Sequence, residues 1–141
     1  MSTAPEAPGS AGERRGPDRL IRLAGVLVSV MFALVSGLAE LFLTPLRLGG
    51  VPVGLAVPLA IAGNWVLSWF ATSTAARRWA LLPPAAVWTL LMLFAAGVRT
   101  REGDYLLAGD NWVAVVTILL GTLTFAVYAY RMILRVPVVK G

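Results

Sequence analysis

The chain has 141 residues, of which 58% are hydrophobic and 13% are charged, against about 25% charged residues in typical globular proteins. A chain this apolar has too few polar groups to cover the surface of a soluble domain. Its net charge is +5, and its basic residues flank apolar runs rather than forming one nucleic-acid-binding patch. It has no cysteine and no histidine, which excludes disulfides, the usual zinc sites and haem ligation by these residues, so we expect no metal and no cofactor. The distribution of the basic residues likewise predicts no nucleic-acid partner.

Residues 1–18 are rich in Ala, Pro, Gly, Ser and Glu and have no apolar period, which predicts a disordered tail. A signal peptide is the competing interpretation. The apolar run that follows is too long for the hydrophobic part of a signal peptide, so we expect it to be retained as the first helix.

Four apolar runs predict an all-α fold, a polytopic membrane protein with a four-helix transmembrane domain over residues 19–136 and a short tail at 137–141. At about 1.5 Å per residue, such runs can cross a hydrocarbon core about 30 Å thick. The expected spans are about 20–43, 52–71, 81–98 and 112–134.

Local signals mark the ends of these spans. Gly49-Gly50 follows the first span and is a helix-ending signal. Pro83-Pro84 fits the first turn of the third span, where a missing N–H is harmless. Asp110 or Asn111 is expected to cap the fourth helix.

The distribution of basic residues predicts that both termini are cytoplasmic. Nine lie on the side of the termini, and they are Arg14, Arg15, Arg19, Arg22, Arg77, Arg78, Arg131, Arg135 and Lys140. Three lie on the other side, and they are Arg47, Arg99 and Arg101. The expected location is a bacterial plasma membrane.

Small and hydrogen-bonding residues predict where the helices meet, because lipid is as apolar as leucine and burial alone cannot join helices in it. Such residues recur on one face of the first span at Gly25, Ser29, Ala33 and Gly37, and of the fourth at Thr117, Gly121 and Thr124. The second span contributes Asn64. The alternative is a polar seam that admits a substrate or an ion.

Glu40 is the one carboxylate inside any predicted span. Its position along the first span puts it ~13 Å outward of the membrane midplane. Ionised groups in hydrocarbon usually pair or serve a function. We expect an ion pair with Arg47, Arg99 or Arg101, and a proton-carrying carboxylate is the alternative.

The stretch "REGDYLLAGDNW" holds Glu102, Asp104 and Asp110 between the third and fourth spans. Apolar residues stand where calcium ligands would be needed, so we expect a wet outer loop rather than a metal site. A lipid-headgroup enzyme using these acids is a further alternative, although no nucleophile and base pair accompanies them.

The four spans, the arginine-rich tail and the motif Arg101-Glu102-Gly103-Asp104 followed by Tyr105 resemble a family of small actinobacterial integral membrane proteins. Members of that family are often encoded near mycothiol-pathway enzymes. The resemblance implies an actinobacterial plasma membrane and brings no catalytic residue with it.

These patterns predict a non-enzymatic accessory or scaffold subunit, whose partners are the lipid bilayer and either another membrane protein or further copies of the chain. Four compact spans and the lack of a catalytic set favour this interpretation. The runner-up is a small proton-coupled transporter that uses Glu40, although coupling carboxylates belong near the midplane.

Overall fold

A computed structural model describes residues 15–99, 103 and 111–135. Four helices account for most of this part of the chain, namely α1 (Arg15–Leu43), α2 (Ala56–Ala75), α3 (Leu82–Gly97) and α4 (Trp112–Leu134). Two short antiparallel strands, β1 (Arg47–Leu48) and β2 (Val51–Pro52), connect α1 to α2, and a 3-10 turn over Arg78–Leu81 leads into α3. The prediction of an all-helical chain is confirmed.

Within the described residues, three segments are long and apolar enough to cross a membrane. They are Asp18–Leu43, Arg78–Gly97 and Trp112–Leu134. The second helix, where a span at 52–71 was expected, is not among them. Its 20 residues include Asn64, Ser68 and the polar run 72–74, which lower its hydropathy.

The first two helices begin at other residues than expected. Helix α1 already starts at Arg15, inside the segment expected to be a disordered tail. Helix α2 starts at Ala56 rather than near Pro52, because residues 47–52 form the hairpin. Its two-residue turn is Gly49-Gly50, with φ values of 60° and 83°, a conformation that favours glycine.

The predicted end signals of α3 and α4 have different outcomes. Pro83 and Pro84 occupy the first turn of α3, as expected. Asn111 precedes α4, but its side chain makes no capping hydrogen bond and instead donates from Nδ2 to the Thr44 carbonyl oxygen at 3.3 Å. The expected cap at Asn111 is therefore wrong, and its amide ties the start of α4 to the end of α1; Asp110 lies outside the described residues.

Helix α2 runs antiparallel to α1. Near one end of the pair, Gly25 lies against Thr74, and further along α1, Ser36 lies against Gly63. As residue numbers increase along α1, the residue numbers of its contacts on α2 therefore decrease. The other long face of α2 packs on α4.

Helix α3 runs parallel to α1. Gly37 approaches Leu91, and Leu41, one turn further along α1, packs against the cluster of Ala95 and Ala114. Helices α2 and α3 thus lie between α1 and α4 and meet both of them. In the middle of this arrangement, the buried Trp88 of α3 packs edge-on against Phe125 of α4, with ring centroids 5.9 Å apart.

Candidate functional site

The small-residue face of α1 leads to a buried carboxylate. Gly25, Ser29, Ala33 and Gly37 are all buried, and Glu40 follows on the same face with none of its surface exposed. The face lies in the contacts of α1 with α2 and α3. This placement directs Glu40 into the bundle rather than toward lipid.

Two neutral donors hold the Glu40 carboxylate. The Ser36 hydroxyl, one helical turn earlier, donates to Oε1 at 2.9 Å, and the Trp88 indole N–H donates to Oε2 at 3.0 Å. Both bonds are charge-assisted when the carboxylate is ionised. We call Glu40, Ser36 and Trp88 the carboxylate site.

The hydrogen bonds of the carboxylate site differ from the expected ion pair with Arg47 or Arg99. Among the described residues, the hydrogen-bond partners of the Glu40 carboxylate are the Ser36 hydroxyl and the Trp88 indole, and neither Arg47 nor Arg99 is one of them. Arg47 is exposed in the hairpin and Arg99 is exposed beyond the end of α3, whereas Glu40 faces the interior of the helix bundle. The third expected partner, Arg101, lies outside the described residues.

The neighbours of Glu40 place its carboxylate deeper than its sequence position suggested. Trp88 lies near the middle of the apolar segment Arg78–Gly97, and Gly63 of α2 lies close to Oε1. Side chains of a helix also lean toward its N-terminus, which moves this carboxylate inward from its Cα. These contacts draw the carboxylate inward from its Cα, and its distance from the membrane midplane stays a prediction.

Gly63 keeps the carboxylate site compact. A Cβ on Gly63 would lie 3.0 Å from the Ser36 hydroxyl oxygen and 3.8 Å from Glu40 Oε1. Beside this glycine, a groove of about 500 Å³ opens between α1 and α2, lined by Ser36, Gly63, Phe32, Val66 and Phe70. The groove brings an apolar space next to the hydroxyl that binds the carboxylate.

Asn64 links α2 to α4. It is fully buried, and its Nδ2 donates to the Gly121 carbonyl oxygen at 3.2 Å. Its Oδ1 and the hydroxyl of the buried Thr117 have no hydrogen-bond partner within the described part of the chain. The Thr124 hydroxyl bonds within its own helix, to the Leu120 carbonyl oxygen at 2.7 Å. Of the polar residues expected to join helices, Asn64 is the one whose side chain bonds across to another helix.

Gly121 of α4 lies directly against the Trp88 side chain of α3. A Cβ there would overlap the six-membered ring of Trp88 and would also lie 3.0 Å from Asn64 Nδ2. Gly37 is similarly close, with 2.7 Å from a built Cβ to Leu91 Cδ2. The glycines therefore bring the carboxylate site and Asn64 into one continuous packed region.

Two residues of this region, Trp88 and Gly63, were not expected from the sequence. The signal for Trp88 was its position, because an indole in the middle of an apolar run must find an acceptor inside the protein. The expected acidic loop, with Arg101, Glu102, Asp104 and Asp110, lies outside the described residues.

Comparisons of the chain with protein families, with curated proteins and with solved structures found no match. The resemblance to a small actinobacterial membrane family stays a prediction.

Proposed function

We propose that the chain is a non-enzymatic integral membrane protein that serves as an accessory or scaffold subunit of a larger membrane complex. One observation carries the proposal: two of the buried polar side chains, Glu40 and Asn64, bond to neighbouring helices, and the glycines let these helices pack closely. Trp88 bonds Glu40 across α3 and α1, and Asn64 bonds Gly121 across α2 and α4. The outward faces carry large exposed apolar side chains that suit lipid or a partner helix.

We propose further that α2 crosses the membrane as a fourth span. Helices α1 and α3 run parallel and each belongs to a segment apolar enough to cross. A chain that crosses twice in the same direction must return between the two crossings, and α2 is the helix between them. Its polar residues Asn64 and Ser68 are fully buried, so they need not meet lipid.

An even number of spans puts both termini on one side, and the basic residues favour the cytoplasm. Arg19, Arg22 and Arg77 line one cavity, while Arg78, Arg131 and Arg135 line another at the same end of the bundle. Lysine and arginine concentrate on the cytoplasmic side of membrane proteins. We propose a bacterial plasma membrane as the location, in line with the resemblance.

Single cysteines test this topology, because the chain has none of its own. We expect Leu48→Cys, exposed in the hairpin, to react with a membrane-impermeant maleimide in intact cells. Gly16→Cys, at the start of α1 with open space around it, should react only after the membrane is permeabilised. Labelling of both in intact cells, or of Gly16→Cys alone, would overturn the proposed orientation.

Extraction from native membranes in mild detergent tests the accessory role. We expect a particle containing a second membrane protein in fixed stoichiometry, measured by size-exclusion chromatography with light scattering and mass spectrometry. Photo-crosslinking residues at the exposed Leu90 and Leu119 should map the partner to one outward face, with the buried Ala33 as control. A chain recovered only as a monomer or as copies of itself would contradict this role.

A second candidate function, a small proton-coupled transporter that uses Glu40, is favoured by the depth of the carboxylate site. Its contacts lie near the middle of α3, and the groove beside Ser36 and Gly63 provides space next to it. Ionisable groups at such depth mark ion pathways in many membrane proteins.

Flux and stability measured on one liposome preparation distinguish the two functions. A transporter would move protons or a cationic solute, and Glu40→Gln would abolish this flux and leave the fold intact. The accessory role predicts no Glu40-dependent flux. Flux that needs Glu40 would replace the accessory proposal with the transporter.

A further inference from the structure

A cavity of about 360 Å³ opens at the arginine-rich end of the bundle, between α2, α4 and the 3-10 turn. Three arginines line it, Arg78 from the turn and Arg131 and Arg135 from α4. Its remaining wall includes Trp65, Trp69 and Tyr128. We call this space the arginine cavity.

The charge in the arginine cavity is not neutralised by the described part of the chain. The acidic residues described there are Asp18 and Glu40; Glu40 is buried in the carboxylate site, and Asp18 belongs to the first turn of α1. None of the three arginines has an acidic partner among the described residues. Three positive charges around one cavity create a strong attraction for an anion.

The wall of the arginine cavity is held by contacts that do not involve a ligand. Trp65 packs edge-on against Tyr128 with ring centroids 5.2 Å apart, and the Tyr128 hydroxyl lies 3.3 Å from the Thr72 hydroxyl. The Arg131 guanidinium stands over the Trp65 ring at 5.5 Å. The cavity is therefore organised before anything binds.

The arginines of the cavity lie at the end of the bundle, and its apolar wall lies deeper. Trp65 and Trp69 lie one turn apart on α2, nearer the middle of the bundle along its long axis, and Arg78 and Arg135 lie at the end of the bundle. A soluble anion would use only the arginines. A phospholipid would use both parts, with its phosphate on the guanidinium groups and its upper acyl chain against the indoles.

We propose that the arginine cavity binds the headgroup of an anionic phospholipid. Guanidinium groups match phosphate oxygens in a bidentate geometry, and basic cavities between helices on the cytoplasmic side are suited to such headgroups. The proposal uses the membrane placement of the chain and holds for an accessory subunit and for a transporter alike.

Lipid binding by the full chain tests the proposal. The purified protein in a zwitterionic detergent is titrated with phosphatidylglycerol or phosphatidylcholine, and bound lipid is counted by native mass spectrometry. We expect preferential retention of phosphatidylglycerol. Because an arginine near an anionic surface contributes about fivefold to affinity, Arg131→Gln with Arg135→Gln should weaken this binding about 25-fold.

A matched double variant separates a defined site from general attraction. Arg19→Gln with Arg22→Gln removes the same charge from the same end but from the other cavity. We expect it to change phosphatidylglycerol binding at the arginine cavity less than twofold. An equal loss in both double variants would overturn the proposal, because it would reduce the effect to net charge.

Two further arms complete the test. Arg78 lines the cavity from the 3-10 turn rather than from α4, so Arg78→Gln should also weaken binding about fivefold. This variant keeps the test valid if the double variant misfolds. Glycerol phosphate and inorganic phosphate are added alone as soluble sources of the same anion. If either raises the melting temperature as much as phosphatidylglycerol does, the ligand is a soluble phosphate and the lipid proposal fails.

Discussion

The interior of the bundle and its arginine-rich end use polar side chains in opposite ways. In the interior, Glu40 and Asn64 are fully buried and bond to neighbouring helices. At the end, Arg78, Arg131 and Arg135 face an open cavity without an acidic partner in the described part of the chain. Glu40 and Asn64 therefore join helices, whereas the arginines at the end are available to a ligand.

This difference predicts that the largest losses of stability come from the interior, at Gly121. Gly121→Leu should cost about 3 kcal/mol of unfolding free energy, because any β-carbon there overlaps the Trp88 ring. Trp88 cannot easily move away, since its N–H is bonded to Glu40 and its ring packs on Phe125. Denaturation in detergent, followed by circular dichroism, measures the loss.

The matched control is Gly97→Leu. Gly97 is exposed at the end of α3 with nothing within 4 Å of a built Cβ, so the same substitution should not destabilise the protein. If both variants unfold at the same denaturant concentration, the close contact of Gly121 with Trp88 does not contribute to the fold.

The second prediction compares two replacements of Glu40. Glutamine can still accept the Trp88 N–H and donate to the Ser36 hydroxyl, whereas leucine leaves the buried N–H unpaired. The Glu40→Leu variant should therefore be about 1–3 kcal/mol less stable than the Glu40→Gln variant. Adding Trp88→Phe to the leucine variant should recover part of that difference, because it removes the unpaired donor. Equal stability of the glutamine and leucine variants would argue against the bond from Trp88.

The helices and their contact faces follow from local pattern, and that is why much of them could be predicted. The spacing of Gly25, Ser29, Ala33 and Gly37 lies within one helix, and all four residues are buried. Pro83 and Pro84 likewise act within a single turn. The hairpin was not predicted, because Gly49-Gly50 was interpreted only as the end of the first span.

The contacts of Glu40 could not be predicted in the same way. Trp88 lies 48 residues away in the chain, and the meeting of the two depends on how α1 and α3 align. Charge alone suggested an arginine, but the exposed Arg47 follows α1 into the hairpin, away from the interior. The arginine cavity was missed for the same reason: Arg78 and Arg131 belong to distant segments that only the packing of α2 on α4 brings together.

A smaller effect is expected at the arginine-rich end. Arg131→Met should cost about 0.5–1 kcal/mol, because it removes the contact of the guanidinium with the Trp65 ring at an exposed position. Arg135, one turn further on, has no such ring contact among the described residues, so Arg135→Met should leave stability unchanged. Both are measured in zwitterionic detergent without anionic lipid. A loss at Arg131 as large as that at Gly121 would break the distinction between interior and end.

The smallest effect on stability is expected at Asn64, whose buried side chain has an acceptor without a hydrogen-bond partner in the described part of the chain. Asn64→Leu keeps the branching and the number of heavy atoms of the side chain but removes the bond to the Gly121 carbonyl oxygen, and such bonds between membrane helices contribute about 0.6 kcal/mol. The same change removes Oδ1, a buried acceptor without a partner in the described part of the chain, and this gain offsets the loss. We therefore expect a net change below about 0.6 kcal/mol in detergent denaturation. Thr117→Val, which removes the unpartnered hydroxyl of Thr117 on α4, serves as the reference for deleting an unsatisfied group alone. A loss of several kcal/mol for Asn64→Leu would mean that Oδ1 has a partner, such as a bound water or ion, and that the polar interior does more than join helices.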